Sequence, residues 1–234
     1  MDTPASGPAS RRRLRAALIA AAVLMMLPVG GVLAHGVFPV PVTLLMVQRS
    51  LEGEGLDYRW RPLREISPRL IEAVIAAEDA NFCAHMGFDF EAIEQAMAAN
   101  ARGRRLRGAS TLSQQTAKNV YLWPGRGWLR KGLEAGYTGL IEAVWTKGRV
   151  MEVYLNVAEW GPGVYGAEAA ARHWFGKSAS DLSASEAARL AAILPSPRRY
   201  QAASPGPYVR RRAAQIQGAM ATVREQGMSA CIRR

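Results

Sequence analysis

Cysteine is scarce: two residues, Cys83 and Cys231, in a chain of 234. That excludes a disulfide scaffold and a zinc module. Cys83 has no triad signature around it and reads as a buried thiol. Histidine is too thin for a metal centre, because His85 and His173 have no partner at ligand spacing. No run alternates apolar and polar residues as a half-buried strand would, and no repeat is evident. Two further absences are more informative. Ala16–Ala34, "AALIAAAVLMMLPVGGVLA", carries no charge, and Ala101–Lys131 carries eight Lys or Arg and no Asp or Glu.

The length suits one sizeable domain beside a targeting segment, and a 49% hydrophobic content is enough for a core. A net charge of +11 points to an acidic partner: nucleic acid, anionic lipid or a phosphorylated substrate. The N-terminus chooses among them. About 20 apolar residues span a bilayer, so the uncharged run is just long enough. Arginines between Arg11 and Arg15 precede it and none follows at once, which places the N-terminus in the cytoplasm. A cleaved signal peptide is the alternative, but "VLAHG" lacks a clear small-x-small site. The expected organisation is a basic cytoplasmic segment (1–15), an uncleaved inner-membrane anchor (16–36), a periplasmic domain (42–226) and a tail (227–234). Nucleic acid then drops out as a partner.

Beyond the run, "FPVPVTLLMV" stays apolar and suits either a core or a membrane interface, and "EGEGLDYRWRPLREIS" reads as a connector. From Ser67 the pattern is helical almost throughout. Ser67 is an expected N-cap with Pro68 at the first helical position. Helices are expected near 90–101, 111–122, 128–146, 149–157, 166–175, 185–194 and 208–226. The helix over 128–146 is expected to bury Leu129, Leu133, Gly136, Tyr137, Leu140 and Val144, and the last eight residues to fray.

In "SPRLIEAVIAAED" the apolar stripe Ile71, Val74, Ile75 runs into Glu78, where a core side chain belongs. Desolvation raises the pKa of such a carboxylate, as a general acid or base near neutral pH requires. The plainer reading is a carboxylate that caps the following loop. In the basic stretch, Thr111 and Gln114 stand in capping-box spacing at the start of a helix, whose free amides suit a phosphate. Lys118 follows within two turns and Arg126 lies in the next loop; the plainer reading is a solvated basic face. Arg130 and Glu134, four apart, read as an ordinary surface pair. Ser110 reads as a binding or capping hydroxyl. The aromatics and glycines around Tyr154, Asn156, Trp160 and Tyr165 read as packing and turns.

Five stretches occur in order: "AAEDANFCAHMGFD", "RGASTLSQQTAKN", "RKGLE", "VMEVYLN" with "EWGPGVYG", and "LAAILPSPRRY". Together they resemble the successive motifs of the peptidoglycan glycosyltransferases, glycosyltransferase family 51, over roughly Val42–Tyr200. "YLWPGR" and "VAEWG" favour the monofunctional branch of Gram-negative bacteria. The resemblance implies a mainly α fold: a lysozyme-like helical lobe with a small membrane-associated jaw. It implies lipid II and the growing glycan strand as substrates, with inner-membrane lipid and other cell-wall synthesis proteins as partners. Glu78 would deprotonate the acceptor's 4-hydroxyl, and Glu134 would be the second carboxylate. Lys118 and Arg126 would hold the donor pyrophosphate, with Ser110, Gln114 and Gln115 lining the cleft and Arg130 and Lys131 in support. Asp79 would stabilise the site and its loop. No cofactor is required; a divalent cation such as Mg2+ would screen the pyrophosphate, but the basic residues do the same work. One departure is Ala109, where the family has a second glycine. If that residue needs a left-handed backbone, the turn is strained by ~1 kcal/mol or more.

Two rivals remain. A lysozyme-like hydrolase or lytic transglycosylase would share the lobe and the catalytic Glu, but needs no pyrophosphate site. A non-enzymatic glycan-binding scaffold would leave Glu78 without a purpose on an apolar stripe.

Overall fold

The computed structural model describes residues 8–101, 110–125 and 127–232. Arg126 and Ala109, singled out above, and the last two residues of the tail lie outside them. The chain divides into two units, Met1–Phe38 and Pro39–Arg234. The first is helix α1 (Pro8–Val37), which contains the uncharged run and Pro28. Among the described residues no helix is long and apolar enough to cross a membrane.

The second unit is mainly helical. It contains α2 (Leu44–Leu51), α3 (Pro68–Glu78), α4 (Phe90–Ala101), α5 (Leu112–Tyr121), α6 (Trp128–Val144), α7 (Lys147–Val157), α8 (Ala167–Phe175), α9 (Ala184–Ile193) and α10 (Pro207–Glu225). The expected helix ends hold to within a residue or two. Helix α2 was not expected: its Thr43 cap bonds the Met46 amide and starts a helix inside the apolar run. The expectation of no strands also fails. Asp57–Tyr58 (β1), Glu159–Gly161 (β2) and Val164–Tyr165 (β3) form a small sheet in the order β1-β3-β2, too short for any alternation to register. Gly163 makes the β2–β3 turn at φ +69°, where a Cβ would lie 2.3 Å from the Glu54 carbonyl.

Helices α3, α9 and α10 pack on one another, and α5 packs on α6 and α7. α10 contributes Val209, Ala213, Ile216, Met220 and Val223, a 3–4 spacing that buries one stripe and leaves Arg210 and Arg211 outside. α7 is buried along most of its length, with Arg149 and Glu152 paired on its half-buried edge. Ser67 does not cap α3 with its hydroxyl, which instead donates to the Leu182 carbonyl.

Two packing expectations are corrected. In α6, Leu129 and Val144 are exposed, at 75% and 44%, and Leu133 is exposed too; the buried residues are Glu134, Thr138 and Ile141. The helix turns a polar-containing face inward because its polar atoms find partners there, Thr138 bonding the Glu134 carbonyl and Glu134 two cations. An apolar face is left outside.

The second correction concerns the cysteines and the tail. Cys83 and Cys231 form a disulfide, their Cα atoms 5.6 Å apart across 148 positions of sequence. Cys83 is therefore no free thiol, and Ile232 is buried rather than frayed. The bond ties the loop after α3 to the end of the chain. Closing so long a loop restricts the unfolded chain by up to about 5 kcal/mol in the chain-entropy account. We expect the double variant Cys83→Ser/Cys231→Ser to lose ~2–5 kcal/mol of unfolding free energy in urea titration. A variant as stable as the oxidised parent would show that the bond adds nothing.

Candidate active site

Glu78 is the last residue of α3, and Asp79 caps the helix in an extended conformation. The change of backbone direction sends the two carboxylates apart. Asp79 is buried and accepts from His85 Nε2 at 3.0 Å and from the Leu112 amide at 2.9 Å. His85 Nδ1 accepts from the Gly87 amide, so the proton sits on Nε2 and points at Asp79. Gly87, at φ +86°, leaves its carbonyl to accept from the Thr111 hydroxyl at 2.6 Å. Asp79 and the glycine turn thus fasten the loop to the start of α5. Lys147 closes the other side, donating to the His85 carbonyl and to Glu142, with its ammonium 4.6 Å from the Phe82 ring centre.

Glu78 faces the opposite way, with 15% of its side chain exposed. Gln115 Nε2 donates to its Oε2 at 3.0 Å, and Gln115 Oε1 accepts from the buried Tyr154 hydroxyl at 3.3 Å. Gln115 Nε2 also lies 3.5 Å from the carbonyl oxygen of Ser110, whose side chain is exposed. Burial pushes the Glu78 carboxyl above the usual range, opposed by the Gln115 bond and by Arg212 and Lys118. The reading of Glu78 as a loop cap fails, since the loop is capped by Asp79 instead.

The cations gather around Glu134. That residue is buried at 3% exposure and paired with Lys131 and with Arg130, whose Nη1 is 3.6 Å away. The expected surface pair is therefore a buried one, with 13% of the Arg130 side chain exposed. Burial lowers the Lys118 pKa, Arg130 and Lys131 push the same way, and Glu134 and Glu78 oppose them. Lys118 lies within electrostatic reach of both carboxylates and links the two halves of the site.

The N-terminus of α5 is less open than the sequence suggests. Its capping box is present: the Gln114 backbone amide donates to the Thr111 hydroxyl, and the Thr111 amide donates to the Gln114 side-chain Oε1. The Leu112 amide is held by Asp79. With these donors engaged, the helix end offers an anion few free amides, and side-chain cations are the groups left to meet one. Sequence reasoning took Tyr154 for packing and saw in His85 only the lack of a metal partner, and it passed over Lys147 and Arg212. The spacing of His85 behind the carboxylate pair was visible, whereas Arg212 stands far along the chain with no local cue.

Comparison with known proteins gives the family. The Transglycosylase family profile matches residues 46–221. The chain is 55% identical to the biosynthetic peptidoglycan transglycosylase of Caulobacter vibrioides over 223 residues, covering 95% of this chain and 97% of the relative. It is 55% identical to the protein of that name from Rhodospirillum centenum, covering 94% and 95% of the two chains. For the Pseudomonas aeruginosa protein the identity is 57%, over 78% and 81%. The profile match over residues 46–221 and the near full-length relatives at 55% identity place this chain in the transglycosylase family.

Proposed function

We propose that the protein polymerises peptidoglycan glycan strands from lipid II. The growing glycan, held as its undecaprenyl pyrophosphate, is transferred to the 4-hydroxyl of a lipid II acceptor with inversion at the donor's anomeric carbon. The observation that carries this reading is the juxtaposition of Glu78, a carboxylate with a raised pKa, and Lys118, a desolvated cation. Glu78 accepts the acceptor's hydroxyl proton as the oxygen attacks. The carbon–oxygen bond to pyrophosphate breaks, and Lys118, with Arg126, Arg130 and Lys131, stabilises the negative charge that leaves. Glu134 holds Arg130 and Lys131 in place for that task. Ser110, Gln114 and Gln115 line the cleft, and Gln115 and Tyr154 orient Glu78. Among the described residues no group of three His, Cys, Asp or Glu is placed to hold a metal. A divalent cation such as Mg2+ would enter with the pyrophosphate.

The same reading puts the protein in the inner membrane, with residues 16–36 as a single-pass anchor and the catalytic unit in the periplasm. The exposed apolar side chains of α2 (Leu44, Val47, Leu51) and of α6 (Trp128, Leu129) suit contact with the lipid that carries the substrate. We expect the protein lacking residues 1–36 to float with anionic liposomes. A protein that stays in the soluble fraction at low and high salt alike would contradict the contact.

Incubation of the purified protein with labelled lipid II, and separately with preformed glycan, tests the function. Polymer formation with release of undecaprenyl pyrophosphate is expected. Shortening of the preformed glycan instead would establish the lysozyme-like hydrolase or lytic transglycosylase, and inertness in both would leave the glycan-binding scaffold.

A further inference from the structure

The C-terminal helix reaches the catalytic carboxylate. Arg212 of α10 donates from Nη2 to the Ala77 carbonyl at 3.2 Å, and the same guanidinium is 3.9 Å from Glu78 Oε1. Ala77 lies in the last turn of α3, where carbonyls lack helical partners and a cation complements the negative end of the helix. Arg210 and Arg211 beside it are exposed, so the sequence "RRR" conceals one residue of a different kind. Val209, Ala213 and Ile216 are buried against neighbouring helices, which fixes the face on which Arg212 stands. The disulfide Cys83–Cys231 joins the segment beyond α10 to the loop just after Asp79. The C-terminal segment is therefore attached on both sides of the Glu78–Asp79 pair.

We propose that Arg212 is a positioning residue for the transfer reaction: it fixes the end of α3 and keeps the Glu78 carboxylate ionised and aimed into the cleft. The proposal rests on the reading of Glu78 as general base. Among the described residues the other groups facing Glu78 are Lys118 and Gln115 from α5, Tyr154 from α7 and, beside it in the chain, Asp79. Of these, Asp79 is engaged by His85 and the start of α5, and Tyr154 is bound to Gln115. Lys118 divides its charge between Glu78 and Glu134. Among the described residues, Arg212 is the cation with a direct ion-pair contact to Glu78. Its charge opposes the effect of burial, so its loss drives the Glu78 titration upward in pH.

The test is a pair of measurements on full-length protein carrying Arg212→Gln or Arg212→Lys. The first is an infrared titration of the Glu78 carboxyl, read as the difference from the same protein carrying Glu78→Gln. The second is the pH profile of lipid II polymerisation. Arg212→Gln should move the carboxyl titration to higher pH and carry the acid limb of the rate profile with it. The loss is then several-fold larger at the acid end than at the alkaline end. Arg212→Lys keeps the charge and should restore much of the limb. If Arg212→Gln does not fold, Arg212→Met, which retains the packing of the stem, makes the same comparison. An unmoved titration with a uniform loss at every pH would mean a merely structural residue and overturn the proposal. A moved titration without a moved rate profile would support the coupling of Arg212 to Glu78 and reject Glu78 as the base.

Discussion

Replacing Glu78 by glutamine is expected to abolish polymerisation and leave the protein folded. Glutamine keeps the size of the side chain and can still bond Gln115, but it cannot take the acceptor's proton. General-base catalysis contributes ~10²–10⁴-fold in rate, and a loss of that order should appear in initial rates of lipid II consumption. Stability should move the other way. The folded-state pKa of Glu78 is raised by burial. Its ionised form is therefore disfavoured in the folded state, and the stability present when it is protonated is lost as pH rises through the folded pKa. At neutral pH Glu78→Gln removes that penalty. A variant that is inactive yet at least as stable as the parent separates catalysis from folding; near-parental turnover would sink the assignment. The parent's rate should fall as pH drops through the raised pKa, since only the carboxylate accepts a proton.

Lys118→Ala is expected to lose roughly ten- to a hundredfold in apparent efficiency with lipid II. A charge-assisted hydrogen bond is worth ~1.5–3 kcal/mol, and ~1.4 kcal/mol is tenfold. If the basic stretch were only a solvated face, the loss would stay within the ~0–1 kcal/mol of an isolated surface charge. The half-buried, desolvated setting of Lys118, within reach of Glu78 and Glu134, argues for the larger figure. Arg126→Ala should behave alike. Arg126→Lys should recover only part, because a fork of donors is replaced by a point charge. Arg104→Ala, in the same charge run but outside the motif, is the control. Equal small losses at Lys118, Arg126 and Arg104 would reduce the site to a diffuse field.

The long helices were legible because their apolar spacing and caps are local properties; Thr111 and Gln114 form the capping box their spacing announced. Glu78 was legible for the same reason, as a carboxylate in phase with Ile71, Val74 and Ile75. What escaped was tertiary. The inward face of α6 depends on ion pairs around Glu134 that no count of apolar residues reveals. The strands of the small sheet have two or three residues each, below the length at which a period of two can register. The pairing of Cys83 with Cys231 needs the loop after α3 and the chain end side by side, which only the packing of α10 on α3 supplies. Arg212 was hidden among identical neighbours until the buried stripe of α10 fixed its direction.

The central claim is a single displacement with Glu78 as the base, and the configuration of the new linkage tests it most directly. The anomeric protons of polymer made from labelled lipid II, compared by NMR with those of lipid II itself, report that configuration. One attack by a deprotonated hydroxyl, with pyrophosphate leaving from the opposite face, predicts inversion at every linkage formed. Retention would require two displacements through a covalent glycosyl-enzyme intermediate, with a carboxylate acting as nucleophile. It would contradict the account.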